Sequence, residues 1–128
     1  MMEFVRSRLR SFRCAFAGWW YVIRTQRNAW IHAVVSFAVM AMAVWLGLKP
    51  LEWAVLILTI ALVWTAEFIN TAVEAVVDLA SPQQHPLARM GKDVGAAAVL
   101  IAALSSILIG LLVLGPALWL KLKVLFRF

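Results

Sequence analysis

The chain has 128 residues, of which 65% are hydrophobic and 14% charged, and its formal net charge is +6. Ordinary soluble domains carry about 45–50% apolar and about 25% charged residues. A domain this small cannot bury so much apolar surface in a core of its own, so lipid must solvate much of it.

The basic excess suits an anionic membrane surface, and the apolar background favours that surface over nucleic acid. The single cysteine, Cys14, excludes an intrachain disulfide and a cysteine zinc site.

Residues 1–29 read as an amphipathic helix. Val5, Leu9, Phe12, Phe16, Trp20 and Ile23 recur at helical spacing, and Arg6, Arg10, Arg13, Arg24 and Arg27 fall on a neighbouring stripe. This is the pattern of a helix lying in the membrane interface with its apolar side down; Gly18 is a point where it can bend. A transit or signal peptide is the competing reading. The basic stretch is longer than that of a signal, and three apolar runs follow it.

Those runs cover residues 30–48, residues 53–66 with a helical continuation to about residue 80, and residues 94–120. A spanning helix needs about 20 apolar residues. The first and third meet this unaided, and the second does if protein shelters its polar half. Lipid requires backbone groups to be satisfied internally, which here means helices. Lys49-Pro50-Leu51-Glu52 reads as the first connector, with the proline stopping the first span. Ser81-Pro82-Gln83-Gln84-His85-Pro86 reads as the second, with Pro86 suited to the first position of the last helix. The expected fold is therefore all-α integral membrane: three transmembrane helices preceded by an N-terminal interfacial helix.

Six arginines precede the first span, and Arg89 and Lys92 lie beside the second connector. Lys49, Lys121, Lys123 and Arg127 lie on the other side. Eight basic residues against four place the amino terminus in the cytoplasm of a multi-pass inner (plasma) membrane protein.

The middle span carries the chemistry. Glu67, Asn70, Glu74 and Asp78 stand at i, i+3, i+7 and i+11. They fall within an arc of roughly 80° and run down about 16 Å of helix. Thr71 joins that face, while Phe68, Ile69, Ala72, Val73, Ala75 and Val76 lie opposite. A polar stripe in a membrane segment is costly and normally faces protein or a wet site. Gly91-Lys92-Asp93 reads as the opening of the last helix, where exposed N–H groups and an ammonium would face one anion. Gly91 and Gly95 have the spacing that allows close helix–helix approach.

Carboxylates, an amide and a lysine around one pocket suggest metal-assisted phosphoryl transfer. Depth proposes the roles: Glu67 as the base facing a lipid hydroxyl, Glu74 as the metal ligand nearer the cytosol. No Walker-type glycine loop precedes Lys92, so a nucleotide site here is not a P-loop. Proton-coupled transport through an intramembrane glutamate and a buried structural pair both stay open on spacing alone. His85 reads as a solvated loop residue, His32 as interfacial, the tryptophans mainly as interfacial anchors and Cys14 as an inert small hydrophobe.

The run Glu67-Phe68-Ile69-Asn70-Thr71-Ala72-Val73-Glu74-Ala75-Val76-Val77-Asp78 resembles the signature of the prokaryotic diacylglycerol kinase and undecaprenol kinase family. So do Ser81-Pro82, His85-Pro86-Leu87-Ala88, Lys92-Asp93-Val94 and Ala97-Ala98-Val99-Leu100, and upstream Arg24-Thr25-Gln26-Arg27-Asn28 with Ile31-His32. The resemblance covers roughly residues 11–115.

The resemblance implies a small membrane lipid kinase that uses Mg-ATP and acts as a homotrimeric bundle with sites shared between neighbours. Residues 1–29 would then be the surface helix and residues 30–128 the kinase unit. Glu67 matches the family's base. Asn70 and Glu74 match active-site and nucleotide–metal residues, Lys92 and Asp93 an ATP-binding pair, and Gln84 and His85 a nucleotide-contacting loop. Gln26 stands where the family often has a second metal-binding glutamate, and Cys14 where a nucleotide-contacting aromatic is common. The implied partners are a lipid alcohol substrate, ATP, membrane lipids and further copies of the chain. The loop after the middle span looks more like the undecaprenol kinase branch.

Overall fold

The computed structural model describes every residue except Pro82, Gln84, Arg127 and Phe128. Four helices follow one another: α1 (Met2–Thr25), α2 (Arg27–Leu46), α3 (Pro50–Ala80) and α4 (Pro86–Phe126). The last three are long and apolar enough to cross a membrane. At 1.5 Å per residue they measure about 30, 47 and 62 Å, so α3 and α4 are longer than the hydrocarbon layer is thick.

Burial is inverted relative to a soluble protein. The stripe that α3 turns inward is Leu56, Thr59, Val63, Glu67, Asn70 and Thr71, at helical spacing, and four of these six are polar or charged. Large apolar side chains such as Leu58, Ile69, Leu108 and Leu112 face outward. Lipid explains both: it solvates the hydrocarbon and drives the polar groups together.

The most extensive helix contact joins α3 to α4. Small residues make it possible. A Cβ on Gly91 would meet Val77 Cγ2 at 3.8 Å, and one on Gly95 would collide with Asn70 Oδ1. Both glycines therefore face α3, as their spacing predicts.

Three local readings of the sequence change. First, the helix expected over residues 1–29 breaks at Gln26, which is extended (φ −101°, ψ 117°), and Arg27 begins α2. Second, Gly47 rather than Pro50 ends the first span. Gly47 is left-handed at φ 70°, and its N–H donates to the carbonyls of Ala43 and Val44. Pro50 instead starts α3, where a missing N–H costs nothing. The Lys49 N–H donates to Glu52 Oε2 at 2.7 Å to complete that cap. Third, Gly91-Lys92-Asp93 does not open the last helix: α4 begins at Pro86, as that proline's fit to a first helical position predicts, and the three residues lie more than a turn inside it. Backbone N–H groups there are committed to i−4 carbonyls. Any attraction of Lys92 for an anion is its own charge, not the helix end.

The α1–α2 junction, the C-terminal half of α3 and the start of α4 meet at one end of the bundle. Only the end of α1 docks on it: Val22 is buried, and the Trp19 ring stacks on Trp64 with centroids 5.0 Å apart. The row Phe12, Phe16 and Trp20 is exposed, as an interfacial helix requires.

Candidate active site

The deepest charged group is Glu67, 1% exposed. Its Oε2 lies 3.6 Å from His32 Nε2 on α2. That is an ion-pair distance but too long for a hydrogen bond. Neither atom has a hydrogen-bond partner among the described residues. The His32 ring meets Trp64 edge-on at 6.2 Å, and the Trp64 indole N–H donates to Ser36 Oγ at 3.2 Å. His32 is thus built into the bundle, not set at an interface. The sequence held a signal for it. His32 and Ser36, at i and i+4, are the polar side chains in an otherwise apolar run, the same single-face pattern that marks α3.

Two turns further along α3 stands Glu74. Both of its oxygens accept from side-chain amides: Oε1 from Asn70 Nδ2 at 2.9 Å and Oε2 from Gln26 Nε2 at 3.1 Å. Gln26 reaches it because the α1–α2 break points that side chain at α3. Asn70 is fixed from the other side by Gly95, and Asn70 Oδ1 is buried with no hydrogen-bond partner among the described residues. Thr71, buried beside them, returns its hydroxyl to the Glu67 carbonyl at 2.9 Å. Among the described residues, no three His, Cys, Asp or Glu side chains stand close enough to hold a metal.

At the outer end, Lys92 Nζ pairs with Asp78 Oδ1 at 2.5 Å, and Arg89 Nε lies 3.9 Å from Asp93 Oδ2. These groups line a crevice of about 810 Å³ that also takes in Ser81, Gln83 and His85. His85 is more than a solvated loop residue: its Nδ1 accepts the Leu87 N–H at 3.2 Å and so caps α4. Gln84 lies outside the described residues. Cys14 is exposed on α1.

One strip along the α3 face therefore joins a buried carboxylate, an amide-flanked carboxylate and a crevice of mixed charge that holds Lys92 and Arg89 beside Asp78 and Asp93. Asp78 is about 16 Å along the axis from Glu67. A second cleft, of about 390 Å³, lies between α2, α3 and α4 and is lined by Val35, Val39, Leu56, Val63 and Leu111, with His32 among its lining residues.

Comparison with known proteins agrees with this architecture. A family model described as prokaryotic diacylglycerol kinase matches residues 13–114. The chain is 46% identical to a diacylglycerol kinase of Synechocystis over 111 residues, which are 86% of this chain and 63% of that protein. It is 39% identical to an undecaprenol kinase of Bacillus subtilis over 109 residues, 85% of this chain and 89% of that one. It is 35% identical to a diacylglycerol kinase of Escherichia coli over 89 residues, 64% and 73% of the two chains. The match thus spans less than two thirds of the Synechocystis protein and most of the Bacillus one. These comparisons give no support to proton-coupled transport. With its three apolar helices and its polar α3 face, the chain belongs to the prokaryotic diacylglycerol kinase family.

Proposed function

We propose that the chain is an ATP-dependent lipid kinase that phosphorylates the hydroxyl of a membrane lipid alcohol at the cytoplasmic face of the inner membrane. The observation that carries this reading is the buried carboxylate of Glu67, set beside His32 where the apolar cleft meets the polar strip. A hydrocarbon chain suits the cleft, and its head group then meets the carboxylate.

Glu67 accepts the hydroxyl proton. The lipid oxygen bonds to the γ-phosphorus as the bond from that phosphorus to the bridging oxygen breaks, and ADP leaves with that oxygen. Lys92 balances phosphate charge at the outer end, with Asp93, His85 and Gln84 around the nucleotide. The residues fit one Mg²⁺ carried in with the nucleotide. Glu74 offers a carboxylate, Asn70 has an unpaired buried oxygen, and the Gln26 amide can turn its oxygen inward. Bound there, the ion would neutralise phosphate charge. In a homotrimer, Cys14 would meet the nucleotide held by a neighbouring subunit.

Relatives named for diacylglycerol and for undecaprenol leave two substrate classes. The test is labelled-ATP transfer by the purified chain to each lipid under identical detergent conditions. Phosphorylation of either with Mg-ATP supports the reading, and turnover of neither contradicts it.

A further inference from the structure

Glu67 is almost fully buried, yet one of its oxygens has no hydrogen-bond donor among the described residues. A lone carboxylate in such a place is expensive unless a partner holds its charge. The charged groups that bear on it are His32 from α2 and the like charge of Glu74 on its own helix. Where α4 is buried against the bundle it contributes Val99 and Ala102, neither titratable. From α1 come Trp19 and Val22, also uncharged. Among the described residues, His32 is thus the group placed at ion-pair distance from the buried Glu67 carboxylate.

The ring of His32 is held for that role. Trp64 packs against it edge-on, Trp64 is tied to Ser36, and Trp19 stacks on Trp64. An imidazole so constrained presents Nε2 to Glu67 with little freedom to turn away. Contacts of 3.6 Å are common before a substrate seats, and they tighten in the reacting complex. We propose that His32 is a positioning residue, which orients the Glu67 carboxylate through Nε2 and, when protonated, pairs with it as it takes the lipid hydroxyl proton. This rests on the reading of Glu67 as the base.

The experiment compares the parent chain with His32→Ala, His32→Gln and Glu67→Gln, each full length and in lipid, with ATP and the lipid alcohol that the parent turns over. His32→Ala is expected to lose about tenfold or more in kcat with little change in the KM for ATP. His32→Gln keeps a donor but no charge. It should regain part of kcat, while the acid limb of its pH–rate profile moves to higher pH. If His32→Ala fails to fold, the pH profile of His32→Gln decides alone. A loss confined to KM, or His32 variants whose kcat and pH profile match the parent, overturns the proposal. Inactive Glu67→Gln beside unchanged His32 variants sinks the role of His32 alone. Active Glu67→Gln sinks the base reading and this inference together.

Discussion

Gln26 Nε2 donates to Glu74 Oε2 at 3.1 Å, joining the break between α1 and α2 to the polar face of α3 across 48 positions of sequence. The neutral amide keeps this contact favourable without a cation. A glutamate in its place would set two carboxylates together, and like charges at that distance need a counter-ion. Gln26→Glu should therefore lower the half-saturating Mg²⁺ concentration several-fold and make thermal stability depend on divalent ions. A magnesium titration of activity checks this; an unchanged midpoint would remove Gln26 from the metal's surroundings.

Gly91 and Gly95 make a paired test of the α3–α4 contact. An added methyl at Gly95 would strike Asn70 Oδ1, whereas one at Gly91 would rest against Val77 at an ordinary 3.8 Å. Gly95→Ala should cost about 1–3 kcal/mol and disturb the bond from Asn70 to Glu74. Gly91→Ala should be neutral or stabilising by up to about 1 kcal/mol, since alanine is the better helix former. Thermal melts in detergent distinguish the two.

Lys92 and Asp78 pair at the surface, with side chains 37% and 65% exposed, so the pair itself adds little stability. In the proposed reaction the ammonium balances nucleotide phosphate charge. Lys92→Met should leave the melting temperature nearly unchanged while raising the KM for ATP about tenfold or more. An unaltered KM would separate Lys92 from the nucleotide.

Cys14 is the only thiol and is exposed, so a maleimide labels one known place. If a neighbouring subunit brings that part of α1 to the nucleotide, Mg-ATP should slow the labelling. Equal rates with and without Mg-ATP would mark Cys14 as an inert surface residue.

The sequence carried the architecture because membrane solvation is a coarse, additive effect. Three charge-free runs sufficed to place α2, α3 and α4, and the spacing of Glu67, Asn70, Glu74 and Asp78 sufficed to place them on one face. Helix ends were less legible, because competing residues sit side by side. Gly47 and Pro50 can each end a helix, and only the left-handed backbone at Gly47 decides which one does. The sequence offers two openings for the last helix, Pro86 and Gly91-Lys92-Asp93, and Pro86 is the one that starts it. His32 reads as interfacial from the sequence for a different reason. Its partner lies on another helix, and one histidine near the start of a span looks interfacial until Glu67 is brought beside it. The amide contacts of Glu74 likewise depend on tertiary approach, which no local pattern encodes.

The most direct measurement is phosphate transfer from labelled ATP by Glu67→Gln, purified in lipid beside the parent, with folding checked by thermal melting. The substitution keeps the size of the side chain and removes its ability to accept a proton. The rate should fall about 100-fold or more while the melting temperature is maintained. Transfer at the parent's rate would mean that the buried carboxylate takes no part in the chemistry.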